Sequence, residues 1–91
     1  MLVARRYVIQ GRVQGVGFRF FVEDAASLEG VRGFVRNLPD GRVEIVAEAD
    51  AEAMSRFELA IRRGPLQARV DDVETDIIEP SARFVGFSIT S

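Results

Sequence analysis

Residues 11–19 read GRVQGVGFR, so Gly11, Gly15 and Gly17 lead a strand-like run into Arg19 and the phenylalanines around it. Glycine lets consecutive backbone N–H groups turn toward one point, and a helix beginning there adds unpaired donors and the positive end of its dipole. Such a loop suits an anion. Arg19 stands in the expected first helical turn, where a cation costs roughly a few tenths of a kcal/mol. A bound phosphate or carboxylate removes that cost, and its oxygens match the guanidinium fork. The candidate anion site is therefore the glycine-rich stretch QGVGFR with the Arg19 side chain. The same spacing is compatible with a plain strand-to-helix turn in which Arg19 is solvated.

Neither common nucleotide-phosphate motif is present. A Walker loop counted from Gly11 meets Val16 where glycine is required and lacks the following lysine, and a dinucleotide loop from Gly15 and Gly17 meets Phe20. A second polar residue accompanies the loop. Asn37 ends the run GFVRN just before LPDG, on the side of Val35 and not of Arg36. An amide on that face is costly unless paired, so Asn37 either caps the adjacent turn or serves a site.

The rest of the composition limits how such a site acts. There is no cysteine and no histidine, and all twelve basic residues are arginine. Thiolate nucleophiles, Cys-type zinc sites, histidine bases and Schiff-base lysines are thereby excluded. Arginine binds anions but does not shuttle protons. Chemistry here has to rest on positioning and electrostatics. The net charge of −2 hides an asymmetry, +3 over residues 1–43 and −5 over residues 44–91, and the glycine-rich loop lies in the basic half. A local site for a small anion fits that balance better than a general polyanion binder.

These residues need a frame. A chain of 91 residues, 47% hydrophobic, suffices for one core, and residues 1–91 are expected to form a single domain. The pattern predicts a strand over 3–10 and a helix from Phe18 or Arg19 to Leu28. That helix should bury Phe18, Phe21, Val22, Ala25 and Leu28 and stop at Gly30. Pro39, Asp40 and Gly41 predict a hairpin turn, followed by a strand that buries Val43, Ile45 and Ala47 on one face. Asp50 as N-cap, the stripe Met54, Phe57, Ile61 and the ending RRGP predict a second helix over 51–63. Residues 68–78 read as a strand with poor alternation, at an edge or with a bulge. Asp71 and Asp72 are expected on opposite faces and so not as a metal site. A short closing strand alternates Val85, Phe87 and Ile89. The order β-α-β-β-α-β with a short final strand predicts an α+β, ferredoxin-like sandwich, both helices on one face of an antiparallel sheet.

GRVQGVGFR, followed eighteen residues after its arginine by the asparagine of GFVRNLPDGRVE, resembles the signature pair of the acylphosphatase family. GPLQARVDDV and the closing FVGFSI are similar to that family too, so the likeness covers nearly the whole chain. It implies hydrolysis of the carboxyl–phosphate bond of acyl phosphates without metal or cofactor. Arg19 and the N–H groups of residues 15–19 would hold the phosphoryl group, and Asn37 would orient the attacking water. Two positions depart from the pattern: Val22 stands where many relatives carry threonine, and Glu29 where leucine is usual.

The same fold hosts RNA-recognition domains, and RGFVRN begins like their strand motif. It continues with residues other than the small and aromatic ones expected, and Phe18, Phe20 and Phe21 start a helix instead of forming a stacking platform. A domain that holds a phospho-ligand without turnover is the other alternative. The expectations are a monomeric cytoplasmic hydrolase of a small acyl phosphate, with no cofactor, metal, nucleic-acid or membrane partner. The N-terminus MLVARRYVIQ shows no signal-peptide pattern, and no apolar run approaches a membrane span.

Overall fold

A computed structural model describes residues 1–91. Its elements are β1 (Leu2–Arg12), α1 (Phe18–Glu29), β2 (Arg32–Asn37), β3 (Val43–Asp50), α2 (Ala51–Arg63), β4 (Arg69–Ile78) and β5 (Phe87–Thr90). Each lies where the patterning puts it, to within two or three residues. The helix ends follow from their caps. Asp50 accepts the Glu52 N–H at the start of α2, and Gly30 ends α1 in the left-handed conformation, its N–H turned back to Ala26 and Ser27.

The strands form one sheet in the order β4-β1-β3-β2-β5, with both helices on one face. Between sheet and helices lies the core: Tyr7 and Ile9 from β1, Val35 from β2, Val43 to Ala49 at alternate positions of β3, Phe18, Val22 and Ala26 from α1, and Met54, Phe57 and Ile61 from α2. Four strands pair antiparallel, but the fully antiparallel sheet expected from the sequence is corrected by β5, which lies parallel to β2 with Gly33 beside Phe87. The cause is the route of the chain. It leaves β4 beside Ala4, crosses the sheet at the level of Glu48, and reaches the far edge at the end where β2 also begins.

That crossing, residues 79–86, runs over the face opposite the helices. Glu44 and Glu48, which alternate along β3 with the core residues Val43, Ile45 and Ala47, are only 5% and 2% exposed. Glu48 accepts the backbone N–H groups of Ser81 and Ala82 and the Ser81 hydroxyl. Glu44 sits between Arg36, directly opposite on β2, and Arg6 on β1. Burial works to raise both carboxyl pKa values, but these hydrogen bonds outweigh it and hold each below the ordinary 4.5.

Smaller differences have local reasons. In α1 the buried stripe is centred on Val22, from which Leu28 lies roughly 120° round the helix at about 100° per residue, and Leu28 is 83% exposed. Val85 belongs to the crossing and not to β5, and it too is exposed. On β4 both expected irregularities occur together. The strand is an edge, and its pairing with β1 slips between Gln10 and Gly11, leaving Asp71 as the extra residue, ion-paired with Arg69.

Replacing Glu48 with alanine removes the acceptor for three donors and should cost about 1.5–3 kcal/mol at pH 7, measured by denaturant unfolding. Because the folded pKa is depressed, the carboxylate's contribution is complete above its ordinary value of 4.5 and disappears as pH falls through the folded value. The gap between wild type and Glu48→Ala should therefore close in acid. A gap undiminished at pH 3 would show that the ionised form is not what holds the crossing.

Candidate active site

β1 ends at Arg12, Val13 buries its side chain in the core, and residues 14–17 turn the chain into α1. Gly15 and Gly17 take φ of 73° and 76°, the left-handed region that L side chains avoid. Open space surrounds the place where a Cβ would stand at either position, so the requirement for glycine comes from the backbone alone. Gly17 is the N-cap of α1 and offers no side-chain acceptor, and no acidic residue occupies the first turn. The first bond of the helix runs from the Phe21 N–H to the Gly17 carbonyl at 3.0 Å. Arg19, in that same turn, takes part in none of the ion pairs of the protein. The positive end of the helix is thus left without an internal counter-charge.

Asn37 faces this end from the last position of β2, paired with Val43. Its Oδ1 is buried and has no hydrogen-bond partner in the protein. The turn beside it is closed by other groups: the Leu38 N–H donates to Arg42 O at 2.8 Å, the Gly41 N–H to Leu38 O at 3.1 Å, and the Arg42 N–H to Asp40 at 3.1 Å. Capping of the turn therefore does not account for Asn37.

Gly15, Gly17, Phe18, Arg19 and Asn37 come together around one recess of about 140 Å³, with Val13 and Phe20 completing its wall. Val16 is the exception among the expected residues, since its side chain turns to the core and only its backbone belongs to the loop. At about 30 Å³ per water in the liquid, the recess has room for a phosphoryl-sized group and a water. Arg19 is the only charged residue in its wall. A larger hollow of about 470 Å³ lies beside the C-terminal half of α1, but Glu23 and Asp24 outnumber Arg32 there, the wrong sign for a phosphate.

Gln14 is the residue of this region that the sequence did not single out: its side-chain amide donates to the carbonyls of Leu38 and Arg42. Its place inside the glycine-rich motif was the available signal, but nothing in the sequence says where an amide will reach. The two departures, Val22 and Glu29, both fall outside the recess. Val22 is fully buried in the core, and Glu29 pairs with Arg56 of α2 at 2.7 Å.

The family model of acylphosphatase matches residues 5–89. The chain belongs to the acylphosphatase family. An acylphosphatase of Koribacter versatilis is 45% identical over 85 residues, covering 93% of this chain and 77% of that protein. One from Nitrosococcus oceani is 47% identical over 79 residues, covering 87% and 89%. The crystal structure of acylphosphatase from Bacillus subtilis superimposes with a TM-score of 0.94 at 38% identity over the whole of both chains. With this membership the chain is an enzyme, a hydrolase of small acyl phosphates.

The unpaired buried carbonyl of Asn37 carries a cost in stability. Asn37→Val places a β-branched apolar side chain at the strand end and removes that carbonyl, whose burial without a partner costs about 1–3 kcal/mol. The expected result is a higher denaturant midpoint than wild type. An unfolding free energy lower than wild type by about 1 kcal/mol or more, the worth of one hydrogen bond, would mark Asn37 as part of the scaffold.

Proposed function

We propose that acyl phosphates are hydrolysed in the recess between the start of α1 and the end of β2. Arg19 and the backbone N–H groups of residues 15–19 hold the phosphoryl oxygens, and Asn37 orients the attacking water. The observation that carries this reading is the chemical sense of the unpaired group. Asn37 Oδ1 is an acceptor, and a fully ionised phosphoryl group has no proton to give it, whereas a water does. An acceptor placed across the recess from a cluster of donors fits a nucleophile on one side and an anion on the other. A fully ionised phospho-ligand held without a water would leave it unpaired.

The water oxygen forms a bond to phosphorus while the bond from phosphorus to the acyl oxygen breaks, releasing carboxylate and inorganic phosphate. The water's proton goes to a phosphoryl oxygen, since Arg19 stays charged and an amide does not accept a proton at working pH. Transfer through a loose transition state needs in-line alignment and stabilisation of spread negative charge, which a backbone nest and a guanidinium supply. No metal or cofactor enters this scheme.

We further propose that residues 1–91 act as one monomeric domain in the cytoplasm without a nucleic-acid partner. In support, no helix is long and apolar enough to cross a membrane. The sheet face that a nucleic-acid reader of this fold would use is crossed by residues 79–86, with Phe84 against Phe34 at 6.2 Å between ring centroids.

The test is hydrolysis of benzoyl phosphate in the presence of a chelator, with inorganic phosphate as competitor. Asn37→Ala should lower kcat by roughly 10²–10³ while phosphate still inhibits, and Arg19→Ala should lose both turnover and phosphate inhibition. Phosphate binding by the wild type without turnover would leave a binding domain and overturn the hydrolytic reading.

A further inference from the structure

Gln14 lies in the glycine-rich motif yet belongs neither to the groups assigned to the phosphoryl oxygens nor to the one assigned to the water. Its Nε2 leaves the loop and donates to Leu38 O at 2.9 Å and to Arg42 O at 3.0 Å. These two carbonyls are at the closing pair of the hairpin between β2 and β3, where the Leu38 N–H already meets Arg42 O. The β1–β3 ladder stops at Ile9 and Val43, so the hairpin tip, residues 38–42, projects beyond its last rung. Gln14 supplies the only side-chain hydrogen bonds between residues 13–19 and that tip. One end of this link is adjacent to Gly15 of the cradle, and the other is adjacent to Asn37.

We infer that Gln14 is a positioning residue for hydrolysis, its amide fixing the separation between the phosphoryl cradle and Asn37. The inference rests on the roles proposed above for Arg19 and Asn37. Two segments from different parts of the chain carry the two halves of the site, and an in-line displacement tolerates little error: a misplacement of about 1 Å costs on the order of 10²-fold in rate. A planar amide with two donors suits the task, because bonding two carbonyls on opposite arms of the hairpin restrains both its distance and its tilt. The cradle itself does not need Gln14, since residues 15–19 are shaped by their own backbone conformation and by the start of α1. Loss of the link should therefore appear in the chemical step and not in anion affinity.

The experiment measures benzoyl phosphate kinetics and phosphate inhibition for Gln14→Met, which keeps the length and loses the donors, and for Gln14→Lys, which restores donors. Each is made in the wild type and in Asn37→Ala, with thermal midpoints recorded. Gln14→Met should lower kcat about tenfold, leave phosphate inhibition within about twofold, and be largely rescued by lysine. In the Asn37→Ala background the same change should alter kcat by less than about twofold, because the residue it positions is already gone. An equal fractional loss in both backgrounds, a loss confined to phosphate affinity, or an undiminished kcat in Gln14→Met would each overturn the inference. If Gln14→Met does not fold, Gln14→Glu replaces it: its kcat should rise as pH falls and the carboxyl regains a donor proton, and a pH-independent loss would overturn the inference. Full kcat in Asn37→Ala alone would instead sink the role proposed for Asn37, so the two failures are distinguishable.

Discussion

An α-helix that begins on glycine, with no side chain to accept its first N–H groups, has donors that something outside the helix must satisfy. At the start of α1 that constraint is made sharper by Arg19, a cation at the positive end of the dipole with no carboxylate beside it. Everything around the recess follows from holding this unfavourable arrangement in place. β1 delivers the chain through the buried Val13, Gly15 and Gly17 turn it sharply, and Phe18, at 1% exposure, anchors the first residue of the helix in the core. The turn is thus anchored by burial immediately before and after it.

Opposite ends of the sheet are used differently. The site lies where β2 and β3 meet their hairpin, beside Asn37 and Val43, whereas the crossing from β4 to β5 is tied down at Glu48. Glu48 lies five steps along β3 from Val43, roughly 17 Å at about 3.4 Å per residue. At the Glu48 end every buried polar group described has partners: three donors meet one carboxylate. At the other end Asn37 keeps an acceptor without one. Satisfied buried charge maintains the topology, and an unsatisfied buried dipole is confined to the place where a ligand can answer it.

Local chemistry made much of this legible in the sequence. Asp50, Gly64, Gly30 and the turn at Pro39–Gly41 are punctuation whose effect depends on a few neighbouring atoms, and the elements they bound lie where expected. The glycine turn into α1 was legible for the same reason, since glycines ahead of a helix are a local pattern. What was not legible depends on distant chain. Glu44 and Glu48 alternate like solvated residues, and only the path of residues 79–86 and the arginines of two other strands bury and pair them. The parallel seating of β5 is set by that same path. Gln14 needed the position of a hairpin more than twenty residues away. Asn37 stood between, placed by alternation on the correct face but with its partnerless state visible only once the turn was seen to close without it.

The absence of histidine, cysteine and lysine matches the reaction's demands. An acyl phosphate has a carboxylate as leaving group, stable without protonation, so no general acid is required of the protein. In the scheme proposed above, a water attacking phosphorus passes its proton to an oxygen already at hand on the phosphoryl group, so no general base is required either. What remains in that scheme is to hold a highly charged group still and to aim a water at it, tasks for backbone dipoles, a guanidinium and a neutral amide. A carboxylate in the recess would repel the substrate, and none lines it. A site of this kind would be nearly all geometry, its precision resting on how two loops are held relative to each other.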